Sequence, residues 1–174
     1  CMTVPGLETR PMPGGGWLLA GAALCGGRAY ALLADFFAQT ARMMGMDTNA
    51  PYAAMEGLLK SADRPENVPT VLPLFEGTRQ DSTQTGSITG LTAENFTPLH
   101  LIYGMMDGMA HELHQMYQAY RAAGGTAKKL IGSGGGLRNN RFLCESFSRA
   151  FDSEITLSDG REEAACGAAL YAAD

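Results

Sequence analysis

The spacing of apolar positions changes along the chain, and the changes outline its elements. Leu7–Met12 and Trp17–Leu24 read as two short extended segments joined by Pro13-Gly14-Gly15-Gly16, a hairpin signal. From Arg28 to Met44 the apolar residues Leu32, Leu33, Phe36, Phe37, Met43 and Met44 recur at helical spacing, and Gly45 closes the run. Asn49-Ala50-Pro51 offers a cap and an early proline for a helix through Leu59. Val71–Phe75 predicts a short buried strand. Residues 76–90 hold Gly77, Gly86 and Gly90 among polar residues without a sustained period, which predicts a long surface loop. Thr97-Pro98 caps the longest helix, whose stripe of Leu101, Met105, Met109, Leu113, Met116 and Tyr120 ends at Gly124-Gly125. A Met-rich stripe of that kind fills a core. The last third alternates: strand Lys129–Ile131, loop Gly132–Gly136, helix Asn139–Phe151, strand Glu154–Leu157 and a small-residue helix Glu162–Ala172. Such alternation predicts an α/β fold with parallel strands.

Composition narrows the class. A chain of 174 residues predicts one domain, and 45% hydrophobic against 18% charged residues excludes a disordered polyelectrolyte. No apolar run reaches the about 18 residues of a membrane span. Arg10 and the glycines at 14–16 interrupt the region where a signal peptide would be apolar. With 18 acidic and 13 basic residues the net charge of −5 argues against a nucleic-acid partner. Cys1, Cys25, Cys144 and Cys166 form no C-x-x-C pair and predict free thiols in a reducing cytoplasm. The sequon Asn95-Phe96-Thr97 stands without any other sign of secretion and is set aside. The start at Cys1 has three readings: removal of something upstream, a cloning remnant before Met2, or an autoprocessed hydrolase with Cys1 as nucleophile. No oxyanion-hole pattern accompanies the third.

The strongest chemical signal is Ile131-Gly132-Ser133-Gly134-Gly135-Gly136-Leu137-Arg138-Asn139-Asn140, where a strand runs into glycines and then into a capped helix. Glycines admit close backbone approach to a ligand, and a helix N-terminus favours phosphate. No Gly-Lys-Ser/Thr follows, and Leu137 stands where a dinucleotide fingerprint needs its third glycine. The residues alone leave two readings open, a nucleotide or phosphate site and a tight strand–helix turn. His111 and His114, with Asp107 one turn earlier, make a metal site conceivable; their spacing is one short of the zinc-protease motif, and two histidines on a wet helix face are the plainer reading. No nucleophile–base constellation can be argued from order in the chain.

Several segments resemble one family in its own order. Gly86-Ser87-Ile88-Thr89-Gly90-Leu91 followed by His100-Leu101-Ile102-Tyr103-Gly104-Met105-Met106-Asp107 resembles the second signature of the FGGY carbohydrate kinases, departing at Gly104 where the family carries Ala or Ser. The glycine run with Asn139 is similar to the family's adenosine-binding turn, and Glu163-Ala164-Ala165-Cys166-Gly167-Ala168-Ala169 resembles its closing helix. Leu19-Ala20-Gly21-Ala22-Ala23 is a further match; Leu74-Phe75-Glu76-Gly77-Thr78-Arg79 and Asn95-Phe96-Thr97-Pro98 resemble sedoheptulokinase-like members.

The resemblance is to the C-terminal lobe and spans residues 1–174. It implies an actin-like (ribonuclease-H-like) ATPase lobe, a mixed sheet flanked by helices, severed from an absent N-terminal lobe that carries the sugar contacts and the general base. It implies ATP with Mg2+ and a ketose substrate; the free thiols and the lack of an apolar span predict a protein of the cytoplasm with no membrane partner. It also implies no catalytic or metal-ligating residue in this chain, which alone should phosphorylate nothing. Gly134 and Gly135 would approach the adenosine and α-phosphate, Asn139 would bond the base or ribose, and Gly21 would line the cleft. Cys25 stands where relatives place an amide beside adenine. Arg79 would meet phosphate or order its loop through a salt bridge, although Gln80 replaces the family's proline. Apolar surface bared by a missing lobe would drive homodimers. The rival classes are a non-catalytic actin-like binding or assembly module and the Cys1 hydrolase.

Overall fold

The computed structural model describes residues 3–12, 14–46, 49–160 and 162–173, so Cys1, and with it the hydrolase reading, lies outside the described residues. The chain divides into two compact units, Cys1–Ala22 with Leu113–Asp174, and Ala23–Glu112.

The first unit opens with strands β1 (Glu8–Pro11) and β2 (Trp17–Ala20), antiparallel with Glu8 opposite Ala20 and Pro11 opposite Trp17. The Met12 N–H donates to the Gly16 carbonyl at 2.9 Å, closing the hairpin over Gly14 and Gly15, both at positive φ; Pro13 of the predicted turn lies outside the described residues. The rest of this unit comes from the far end of the sequence, where the predicted strand–helix alternation is present.

The Ala23–Glu112 unit begins with helix α1 (Gly26–Met43), which starts earlier than Arg28. Its buried face is Ala29, Leu33, Ala34 and Ala38, so the helix packs through small side chains. The predicted stripe is largely outside: Leu32, Phe36, Met43 and Met44 are exposed. Alanines allow closer approach than large residues, and the larger row turns away from the core. Gly45 (φ 75) ends the helix as a left-handed residue, with the Met46 N–H donating to the Ala41 carbonyl. Helix α2 (Pro51–Ser61) has Ala50 at its cap position with no side-chain hydrogen bond, so the expected asparagine cap is not made; Pro51 alone marks the start.

Strands β3 (Thr70–Leu72) and β4 (Ser87–Thr89) pair antiparallel. The predicted strand Val71–Phe75 is cut short at Pro73, which has no N–H to give a ladder. The supposed loop 76–90 contains β4, too short for its period to be seen in sequence.

Helix α3 (Pro98–Ala122) contributes its residues up to Glu112 to this unit and the remainder to the other. Leu101, Met105 and Met109 of the Met-rich stripe are buried, whereas Leu113, Met116 and Tyr120 are half-buried. Gly104 and Gly108 carry no side chain because β3 and the residues before it lie directly on them. A Cβ at Gly104 would sit 2.8 Å from the Pro69 carbonyl oxygen, and one at Gly108 would fall onto that of Val71. The family-departing Gly104 is thus a packing requirement. Beside it the Arg64 guanidinium bonds both carboxylate oxygens of Asp107 and lies 4.8 Å over the Tyr103 ring.

Strand β5 (Leu130–Gly132), helices α4 (Gly135–Asn139) and α5 (Arg141–Phe151), strand β6 (Ile155–Leu157) and helix α6 (Glu163–Ala173) complete the first unit. β5 and β6 are parallel, Leu130 opposite Ile155 and Gly132 opposite Leu157, joined by α4 and α5 as a βαβ unit. Phe142, Leu143 and Phe147 bury the inner face of α5. The α/β class stands, but the expected mixed sheet takes the form, among the described residues, of three separate two-stranded ladders. Strands of three or four residues offer few ladder groups each. No helix of the described residues is long and apolar enough to cross a membrane.

Candidate functional site

The glycine run forms a turn between β5 and α4. Gly132 is buried at the strand end, where a Cβ would lie 3.0 Å from Ile155 Cγ2 and from Leu137 Cδ1. Gly134 then takes φ 93 and ψ 158, a conformation that only glycine holds without strain, and a Cβ there would meet nothing within 4 Å. Gly135 is equally open, its nearest neighbour being Asn139 Nδ2 at 3.8 Å from a built Cβ. Gly132 is therefore a packing glycine, whereas Gly134 and Gly135 present bare backbone to open space.

The predicted helix Asn139–Phe151 is α5, which starts two residues later, and α4 occupies part of the predicted loop before it. α4 spans only five residues, and the chain breaks at Asn140, whose side chain accepts the Leu143 N–H at 3.1 Å and so caps α5. Five residues sum few peptide dipoles, and the α5 N-terminus is partly satisfied by its own cap. What remains attractive to a ligand is close backbone approach at Gly134 and Gly135. The two asparagines divide the work: Asn140 caps, while Asn139, at the end of α4, is exposed.

Behind the turn lies a charged junction that the sequence did not reveal. Arg138, on α4, pairs through Nη2 with Glu163 Oε1 at the start of α6, and the Ser158 hydroxyl donates to that oxygen at 2.7 Å. The Ser158 hydrogen bond, with help from Glu163's own N–H and the Arg138 charge, holds the carboxyl below its ordinary range. Arg138 Nε is buried with no partner. Twenty-five residues separate arginine and glutamate, so no local pattern could have joined them.

Of the other predicted residues, Gly21 shares the unit of this turn, and Cys25 and Arg79 belong to the other. Gly21 is pressed under α3, where a Cβ would sit 2.7 Å from Met116 Sδ and 2.8 Å from Leu7 Cδ2. It lines an open apolar hollow of about 430 Å³ with Leu7, Trp17, Leu19, Met116 and Tyr120, to which the glycine turn contributes no residue. Cys25 belongs to the other unit, is 2% exposed, and has its thiol pushed up by burial and by the Glu76 charge. Arg79 is exposed in the same unit, two residues after Gly77 (φ 69). Its loop is ordered by the Thr78 N–H donating to the Asp81 carbonyl and by Asp81 Oδ1 accepting the Thr83 N–H, both at 2.9 Å.

The histidine pair gathers no metal site: Asp107 is engaged by Arg64, His114 stands edge-on to Phe151 and bonds Gln118, and no His/Cys/Asp/Glu cluster among the described residues could hold an ion. Sequence reasoning also passed over Glu112, 9% exposed with Oε2 unpartnered, whose carboxyl burial pushes up.

Comparison with known proteins gives this geometry its setting. Mouse (Mus musculus) sedoheptulokinase is 23% identical over 154 residues, covering 88% of this chain and 32% of its own. The structure of xylulose kinase from Rhodospirillum rubrum superposes with a TM-score of 0.77 at 22% identity, over 97% of this chain and 33% of the other. That of Plasmodium falciparum glycerol kinase with ADP gives 0.71 at 18%, over 98% and 33%. The chain spans about a third of the length of these relatives. The structural likenesses show the fold. The sequence matches the FGGY family of carbohydrate kinases, C-terminal domain, over residues 3–173, and the chain belongs to that family.

Proposed function

We propose that this chain is the nucleotide-holding lobe of an ATP-dependent kinase that phosphorylates a ketose, with a seven-carbon ketose favoured by the resemblance to mouse sedoheptulokinase. The observation that carries the reading is the bare backbone at Gly134 and Gly135 in a chain of this family. There the adenosine and α-phosphate can come close without meeting a Cβ, and Asn139 is exposed four residues on to bond base or ribose. Glycerol kinase, a relative of the same fold, holds ADP. Gly21 and Arg79 enter the reading through the family resemblance alone.

Phosphoryl transfer rests on in-line positioning and neutralisation of charge. This chain's share is positioning: it fixes one end of the nucleotide. Magnesium would supply charge neutralisation at the phosphates; no group of three or more His, Cys, Asp or Glu among the described residues could hold it. The sugar hydroxyl must lose a proton to a base, and the sequence offers none that pairs with the turn. Free thiols and an acidic charge balance suit a cytoplasmic enzyme.

The test is titration of the chain with ADP, comparing wild type with Gly135→Val. A side chain at Gly135 has room in the free protein, so a loss of affinity at unchanged melting temperature reports ligand contact. The expected result is measurable binding weakened at least about tenfold by the valine. Absence of binding, or equal binding by both, overturns the reading in favour of a non-catalytic module.

A further inference from the structure

Helix α4 is held by little of its own. It has no buried residue, no side-chain cap at its start, and only five residues in which to form helical hydrogen bonds. Its attachments among the described residues include the Leu137 side chain near Gly132, the Cys144 thiol donating to the Leu137 carbonyl at 3.1 Å, and the Arg138 ion pair. The last is the strongest in kind, since charge-assisted hydrogen bonds exceed neutral ones. The Arg138 side chain is only 19% exposed, and its Nε has no partner. Glu163 is thus the one carboxylate that neutralises this guanidinium among the described residues, and it is aimed by the Ser158 hydroxyl. Removing its charge leaves a largely buried cation without its counter-charge, which favours an outward swing of α4 that hydrates it further. Gly134 and Gly135 sit at the N-terminal edge of that helix and would move with it.

We propose that Arg138, Glu163 and Ser158 form a positioning network that presets the Ser133–Gly135 turn for nucleotide, with Glu163 coupling the start of α6 to the turn. This rests on the nucleotide-binding reading of the turn. None of the three contacts the ligand; they act through α4.

The experiment measures backbone amide hydrogen exchange without nucleotide, and ADP affinity by titration, for wild type, Glu163→Gln, Ser158→Ala, Arg138→Met and the Arg138→Met/Glu163→Gln double variant. The expected result is faster exchange of the α4 amides at residues 138 and 139, where the Arg138 N–H donates to the Gly134 carbonyl, in Glu163→Gln, with α5 protection unchanged. ADP should bind about tenfold more weakly at similar melting temperature. The double variant should be no weaker than either single variant, because one partner's loss already breaks the network. Should Glu163→Gln fail to fold, Ser158→Ala, which keeps the ion pair, is expected to give a smaller change of the same kind. Unchanged exchange at residues 138 and 139 overturns the proposal, as does faster exchange with unaltered ADP affinity. Faster exchange in a chain whose wild type binds no ADP supports the mechanical coupling and overturns the nucleotide reading instead.

Discussion

Single residues set the sharpest conditions on this lobe. Gly134 sits at φ 93 with open space around it, so its cost of replacement is conformational alone. Gly134→Ala is expected to lower stability by about 1–2 kcal/mol, read as a shift of the denaturation midpoint. Glu112 presents the opposite case, a side chain whose charge is the difficulty. Burial raises its folded pKa above the ordinary value near 4.5, so from that pH upward the unfolded chain ionises while the folded chain keeps its proton. Stability therefore falls as pH rises from about that value to the raised one, and levels off beyond it. Glu112→Gln should be more stable than wild type at pH 7, and the advantage should shrink towards pH 4; denaturant unfolding at both pH values checks this. Glu163 runs the other way. Its lowered pKa means that its contribution is present above the ordinary carboxylate range and is lost as pH falls through the folded value.

At the scale of elements, β3 with its lead-in residues and α3 depend on one another through two missing side chains. Gly108→Ala would drive a methyl group into the Val71 carbonyl, and the strand or helix must shift to admit it. A loss of about 1–3 kcal/mol is expected, typical of overpacking, and thermal melting of the variant measures it. Helices and the hairpin were legible in sequence because their signals are local: Gly45 and Gly124 at helix ends, Pro51 at a start, glycines at 14–16 in a turn. The inward face of α1 was not legible, because periodicity weights large residues while the fold uses Ala29, Ala34 and Ala38. β4 was invisible for want of length, and its existence depends on β3, some fifteen residues away, to pair with. In the candidate site the glycine turn could be read directly, but not which of its glycines pack and which stand open. The junction of Arg138 with Glu163 could not, since it exists only once β6 has brought the two ends of a long segment together.

For the whole molecule, the chain's share of its relatives, about a third, governs what it can do. With the turn proposed for nucleotide and no metal-holding cluster among its described residues, ketose-dependent ADP production by the purified chain should be undetectable in a coupled assay. One buried amide carries a further consequence for how such a chain can be made. Asn95 is 2% exposed; it accepts the Thr92 N–H at 2.7 Å and donates to the carbonyls of Asn67 and Gly90 at 2.8 and 2.9 Å. It is also the first residue of a glycosylation sequon. In a eukaryotic secretory host, the oligosaccharide could be attached only before these bonds form, and once attached it would forbid them. Glycan occupancy at Asn95 would then record the outcome of a race between folding and the transferase, and the secreted, folded fraction would be the unmodified one.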